Sequence, residues 1–219
     1  MTQEQKWLED RLGKFTSSEI AVLLVNGTSG FGDGALTYIY EKVGEMLTGQ
    51  PEPQPSSIAI DWGSNHEKEA IDAYIEKTGR NNVHYFGKEN PVFFPLYGYP
   101  AGGSPDGFIE NERVIEIKCP HTSSKHVEYS VLTLDDLKKA APSKALGKYY
   151  AQCQMNMIVT NTLLCDFCSY DPRVLDEEHQ LSILEIPFDK AFCDNLMYRI
   201  EKATELMKWI HSRLIKKAS

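Results

Sequence analysis

Asp106, Glu116 and Lys118 are the residues whose types and spacing most directly specify chemistry. They lie in Gly102-Gly103-Ser104-Pro105-Asp106-Gly107-Phe108-Ile109 and, after the polar tetrapeptide Glu110-Asn111-Glu112-Arg113, in Val114-Ile115-Glu116-Ile117-Lys118-Cys119-Pro120. Two carboxylates supply hard oxygen ligands of the kind Mg²⁺ takes, with positions left for water and phosphate oxygens. The carbonyl of Ile117 offers one more. A lysine beside them can orient or deprotonate an attacking water and stabilise charge on a phosphate. Such a set is suited to hydrolysing phosphoesters.

These residues need a scaffold that brings them together. Phe108-Ile109 and residues 114–117 are β-prone, and the polar tetrapeptide between them suits a hairpin turn. Side chains alternate across a strand, so Glu116 and Lys118 share one face while Ile115 and Ile117 share the other. Antiparallel pairing then sets Asp106 beside Glu116 and Lys118. Gly107 permits close backbone approach there, and Pro105 restricts the chain just before it. A surface hairpin with a cross-strand Glu/Lys pair has the same pattern. What weighs against it is that Glu116 and Lys118 interrupt an apolar run instead of occupying a polar face.

The flanking chain offers further candidates. Residues 4–13 form a short helical stretch with Trp7, Leu8, Arg11 and Leu12, ending at Gly13. Thr16-Ser17-Ser18-Glu19 has the form of a capping box, Thr16 at N-cap and Glu19 at N3, opening a helix over 20–25. Its free N–H groups and the Ser18 hydroxyl would suit an anion such as a phosphate, although an ordinary capped helix looks alike. Residues 26–34 are a Gly-rich loop without the GK[ST] ending of a nucleotide-binding loop. An amphipathic helix follows over 35–47, closed by Gly49, and 51–55 read as an extended Pro-rich link. In a helix over 63–77, Glu67 is in register with Ala70, Ile71 and Tyr74 and so faces inward, whereas Glu69 lies on a solvent face. An inward carboxylate needs a partner, either a metal site or a buried ion pair.

Strands are expected at 83–86, 92–94 and 96–99. Residues 121–147 are polar, helical in parts, and carry Lys125, Lys138, Lys139, Lys144 and Lys148 on what reads as a solvated surface. A long helix over 144–159 puts Tyr149, Gln152, Met155 and Asn156 on one face. Strands at 163–170 and 181–188 come next, and 190–217 carries Leu196, Ile200, Ala203, Met207, Ile210 and Leu214 as a coiled-coil-like seam, for the core or for another subunit.

Several of these patches are familiar. The SPDG…EIKCP block resembles the PD-(D/E)xK nuclease superfamily and, within it, the bacteriophage lambda exonuclease-like alkaline exonucleases of viral recombination. Similar patches follow the same order along the chain: Trp7…Arg11-Leu12-Gly13…Ser18, Trp62-Gly63…Glu67, Tyr149…Gln152…Gln154 and Tyr170-Asp171-Pro172-Arg173. The resemblance implies an α/β PD-(D/E)xK nuclease fold, with a mixed central β-sheet flanked by helices. It implies a Mg²⁺-dependent exonuclease, Mn²⁺ substituting, that degrades one strand of linear duplex DNA from a 5′ end. The remaining 3′ single strand would serve annealing. By the same resemblance Arg11 and Ser18 hold the terminal 5′-phosphate, Glu67 adds an acidic ligand to Asp106, Glu116 and the Ile117 carbonyl, and Gln152 approaches the catalytic centre. A ring-shaped homotrimer, a single-strand annealing protein as partner, and a phage or prophage origin in a bacterial cytoplasm are also implied.

Composition bounds this reading. The 219 residues suit one domain over 1–219. No run approaches the roughly eighteen apolar residues of a membrane span, and the polar start Met1-Thr2-Gln3-Glu4 does not read as a signal peptide. Five cysteines without a secretion signal point to reduced thiols, and the lone Cys165-Asp166-Phe167-Cys168 reads as strand packing. A formal charge of −8 argues against broad electrostatic binding of nucleic acid unless basic residues line one channel and metal ions neutralise the site. Three alternatives stay open on the residues alone: another nuclease of the superfamily, of restriction or RecB-like type; a non-catalytic DNA-end-binding module; and a hydrolase of small phosphoesters.

Overall fold

The apolar run around Glu116 is buried on both faces, and the molecule is layered about it. In this computed structural model, which describes residues 1–28, 30–53 and 57–218, the chain begins with helix α1 (Gln3–Arg11), strand β1 (Phe15–Thr16), a 3₁₀ turn (Ile20–Leu24) and the short hairpin β2 (Asn26–Gly27) and β3 (Gly30–Phe31). Helices α2 (Asp33–Thr48) and α3 (Ile58–Thr78) follow, then β4 (His84–Tyr85), β5 (Phe94–Pro95), β6 (Ala101–Gly103), β7 (Gly107–Ile109) and β8 (Arg113–Lys118). After α4 (Ser123–Ser130), α5 (Leu134–Lys139) and α6 (Ala145–Thr160) come β9 (Leu164–Tyr170), β10 (Leu181–Pro187) and α7 (Lys190–Ala218).

Five strands form a mixed sheet in the order β10-β9-β8-β7-β4, with β8 and β9 parallel and the other neighbours antiparallel. Strand β8 lies at its centre. Ile115 and Ile117 pack on one face against Ala70, Ile71 and Tyr74 of α3, while Val114 packs on the other with Tyr150, Cys153 and Met157 of α6. A strand covered on both faces reads as a continuous apolar run. That is why Glu116, only 1% exposed within it, is conspicuous.

A second, three-stranded sheet, β1-β6-β5, has its own core of Phe15, Ile20, Leu23 and Ile39, closed by α7. Helix α6 is shared between the two cores. Its residues Tyr150–Met157 are all buried.

The helix boundaries expected at 35–47 and 144–159 agree with α2 and α6, and Gly49 ends α2 in the left-handed conformation (φ 66°). Two readings are corrected, and the seam of α7, open between core and subunit contact, is assigned. Thr16 caps no helix: it lies in β1, paired in parallel with Gly102, and Ser17 N–H donates to the Gly102 carbonyl. The segment after it is a 3₁₀ turn whose N-cap, Glu19, makes no side-chain cap bond. Residues 96–99 form a turn instead of a strand, and the strand there is Ala101–Gly103, hidden from a propensity reading by its two glycines. The seam of α7 serves this chain's own core, with Leu196, Ile200, Ala203, Met207 and Ile210 buried and only Leu214 exposed.

The 51–55 link lies partly outside the described residues. All five cysteines are buried and form no disulfide, and Cys165 and Cys168 lie within β9, as the strand-packing reading of that pair expects. No described helix is long and apolar enough to cross a membrane.

Candidate active site

The hairpin β7–β8 does what its pattern predicts. Gly107 pairs with Ile115, so Asp106 falls level with Glu116. Asn111, in the left-handed conformation at φ 59°, makes the turn. A Cβ on Gly107 would stand 3.2 Å from both Ile115 and Ile71 side chains, so the glycine lets β7 sit close beneath α3.

Asp106 Oδ2 accepts the Ile117 N–H at 2.6 Å. Lys118 Nζ donates to Glu116 Oε1 at 2.5 Å and to Gln152 Oε1 at 3.4 Å, and lies 5.0 Å from the centre of the Tyr149 ring. Glu67 projects from α3 into the same cleft of about 430 Å³, lined also by Ile117, Lys118, Cys119 and Tyr149. The structure therefore brings together Glu67, Asp106, Glu116, Ile117, Lys118 and Gln152.

Charge explains how these groups behave. Burial, reinforced by Asp106, pushes Glu67 up to about 7 and Glu116 up to about 8, and burial raises Asp106 as well. Burial alone would lower Lys118, but Glu116 and Asp106 outweigh it and hold its pKa above the usual lysine range. Three carboxylates against one ammonium crowd negative charge into a poorly solvated place, a repulsion that either protonation or a hard divalent cation would relieve. The donor set fits such an ion by type. Among the described residues no three such side chains are gathered as a metal shell; Asp106 Oδ2 and both Glu116 oxygens accept hydrogen bonds from the protein.

Arg11 and Ser18 do not touch these residues. They line a separate cavity of about 510 Å³ with Trp7, Thr16, Tyr38 and Lys42. Arg11 stacks over the Trp7 ring at 4.2 Å, and burial lowers its pKa. Ser18 Oγ lies 3.3 Å from Thr16 Oγ1. The two sites are joined through Ser104: its Oγ accepts from Trp7 Nε1 at 2.9 Å and from Arg11 Nη1 at 3.5 Å, two residues before Asp106.

The sequence reading gave no role to Ser104, nor to Asn156, whose Nδ2 donates to Glu116 Oε2 at 3.1 Å. Spacing carried a signal for the second. Asn156 is one helical turn beyond Gln152 on the face assigned to the site.

A larger cleft of about 780 Å³ is lined by Glu69, Asp72, Glu76, Glu177 and Glu178 together with Lys77, a mainly acidic wall that disfavours a phosphate backbone. Lys125, Lys138 and Lys139 are paired with Glu128, Asp189 and Asp135.

Residues 6–162 match the YqaJ-like viral recombinase domain. No curated protein matches the sequence. Among solved structures, an alkaline exonuclease (LHK-Exo) from Laribacter hongkongensis is 28% identical with a TM-score of 0.77, over 98% of this chain and 97% of that one. A phage related exonuclease from Haemophilus somnus 129PT shares the fold at 15% identity and a TM-score of 0.71, over 94% and 96% of the two chains. The mixed sheet flanked by helices is thus the alkaline exonuclease fold, and this chain belongs to the YqaJ-like viral recombinase domain family.

Proposed function

We propose that this chain, acting as one nuclease domain, is a Mg²⁺-dependent exonuclease that removes nucleotides from the 5′ end of one strand of linear duplex DNA. The observation that carries this reading is the convergence of Glu67, Asp106, Glu116 and Lys118 at the end of β8, with the carboxylates under-neutralised. Its family, and its likeness to an alkaline exonuclease that has also been solved in complex with dAMP, support it.

Asp106, Glu116 and Glu67, with the Ile117 carbonyl, would hold one or two Mg²⁺ ions, or Mn²⁺ in their place. When bound, such an ion supplies Lewis-acid polarisation of the phosphodiester and activation of water. The chain's own residues do the rest. Lys118, held between Glu116 and Gln152, presents an ammonium to the attacking water and to the phosphate oxygens. Gln152 offers an uncharged amide that positions a water without competing for the cation.

Water oxygen adds to phosphorus, the P–O3′ bond breaks, and the departing O3′ gains a proton. Each cut leaves a new 5′-phosphate on the shortened strand. The cavity of Arg11 and Ser18 is the place for that phosphate, held by charge-assisted bonds. A 3′ single strand remains, the substrate of an annealing protein, and the setting is the cytoplasm of a bacterium carrying the phage or prophage.

The test is digestion of linear and covalently closed duplex with Mg²⁺ or with EDTA. Loss of linear duplex only with Mg²⁺ is expected. The activity should fall by about 10²-fold or more in Asp106→Ala, Glu116→Ala and Lys118→Ala, with Mn²⁺ binding kept in the lysine variant and weakened in the other two. Digestion in EDTA, or cutting of closed circles, refutes the reading.

A further inference from the structure

Asn156 is wholly buried in α6, at 0% exposure, and its amide uses only one of its two ends. Nδ2 donates to Glu116 Oε2 at 3.1 Å. Oδ1 is out of reach of solvent and has no hydrogen-bond partner. That oxygen abuts Gly103: a Cβ added there would stand 2.4 Å from it. A buried amide oxygen without a donor costs stability that a hydrocarbon of the same shape would avoid. Packing alone therefore does not account for an asparagine at this position.

Glu116 does account for it. Its two oxygens take different donors, Lys118 on Oε1 and Asn156 on Oε2. Lys118 has a flexible stem, lies at the cleft and also reaches Gln152, so it does not by itself fix the plane of the carboxylate. Asn156 is held in a buried helix and bears no charge. It orients the carboxylate while leaving its negative charge available to a cation, which is what partners of ligating groups do in metal sites. Against the ionised carboxylate that a cation requires, the amide turned over would set Oδ1 oxygen against oxygen. The donor-inward orientation therefore follows from the hydrogen-bond network, and it sends Oδ1 toward Gly103, where the absence of a Cβ leaves room.

We propose that Asn156 is a positioning residue that sets the Glu116 carboxylate for a divalent cation, and that Gly103 is required to house the amide oxygen this leaves unpaired. The proposal rests on the metal-dependent nuclease reading of the same site.

The probe is Mn²⁺ alone, titrated into the whole chain without DNA and followed by the EPR signal of the free ion. Steady-state digestion of 5′-phosphorylated linear duplex is measured alongside. Asn156→Leu keeps the bulk and removes both the donor and the unpaired oxygen. Mn²⁺ affinity and kcat should each fall about 10- to 100-fold while KM for DNA stays within about twofold. In a Glu116→Gln background the same change should leave Mn²⁺ affinity unaltered, since Asn156 acts through Glu116. Asn156→Ala, which removes the amide without adding a charge, carries the same expectation should the leucine variant fail to fold.

Folded variants that bind Mn²⁺ and turn over like the wild type overturn the assignment, as does a leucine effect that persists in full in the Glu116→Gln background. A wild-type protein that binds no Mn²⁺ overturns instead the nuclease reading beneath it.

Discussion

Glu67→Gln should make the metal-free protein more stable in alkaline solution while making the nuclease worse. Burial and the neighbouring Asp106 raise Glu67 from an ordinary 4.5 to about 7. Between those values the folded chain binds the proton and the unfolded chain does not, so stability falls as pH rises through that window, and the loss is complete above about 7. At about 1.4 kcal/mol per pH unit, the displacement is worth at most about 3 kcal/mol. Glu67 is only half-buried at the edge of a cleft, so solvent reduces the figure to about 1–2 kcal/mol. For a chain of this size that corresponds to about 2–8 °C in Tm.

Glutamine keeps the shape and cannot ionise. Calorimetry in EDTA should find the variant and the wild type melting together near pH 4.5, and the variant melting higher at pH 8.5. Added Mg²⁺ should raise the wild type more than the variant, since the proposed metal site has one more carboxylate in the wild type. A wild type that is the more stable of the two at pH 8.5 in EDTA would refute the reasoning, because it would mean that Glu67 gains more from its surroundings than it loses by burial.

Three further outcomes follow from the same geometry. Arg11→Ala should reduce the preference for a 5′-phosphate over a 5′-hydroxyl end about 10- to 100-fold, the value of a charge-assisted bond, with less effect on digestion already under way. Equal initiation on both ends by the wild type would make the Arg11–Ser18 cavity structural. A ring enclosing the duplex would keep a chain of charge −8 on DNA; if the ring-shaped homotrimer implied by the sequence resemblance forms, light scattering at micromolar concentration should give three subunits, and since the α7 seam is buried in its own chain, the exposed Leu214 and Trp209 and the β2–β3 hairpin are the surfaces to alter. A mass of one subunit with processive digestion retained would remove the ring. Arg113, 7% exposed, donates to Asp166, which is 2% exposed and also bonded by Tyr74; Arg113→Met should destabilise by about 3–5 kcal/mol in urea unfolding by leaving that carboxylate poorly compensated, and a change below about 1 kcal/mol would contradict it.

The chemistry of the hairpin was legible in the sequence because it is local. Asp106 and Glu116 are ten positions apart, and a period of two plus one turn is enough to set them level. The inward face of Glu67 followed from the 3.6-residue period of its own helix. The fold class came with the SPDG…EIKCP resemblance and is the one found.

Tertiary structure decided what depended on distant partners. Thr16 and Glu19 carry a capping pattern, yet Phe15–Thr16 pairs with a strand more than eighty residues further on, and those backbone bonds take the place of a helix start. The α7 seam is the same whether it meets its own core or another subunit; only the position of Phe15, Ile20 and Ile39 against it settles which. Asn156 bears on Glu116, and Ser104 on Arg11, across 40 and 93 residues. Local propensities and periods are properties of a few neighbouring residues, whereas which side chain meets which carboxylate is set by the packing of whole elements, and that packing is fixed only when the chain closes on itself.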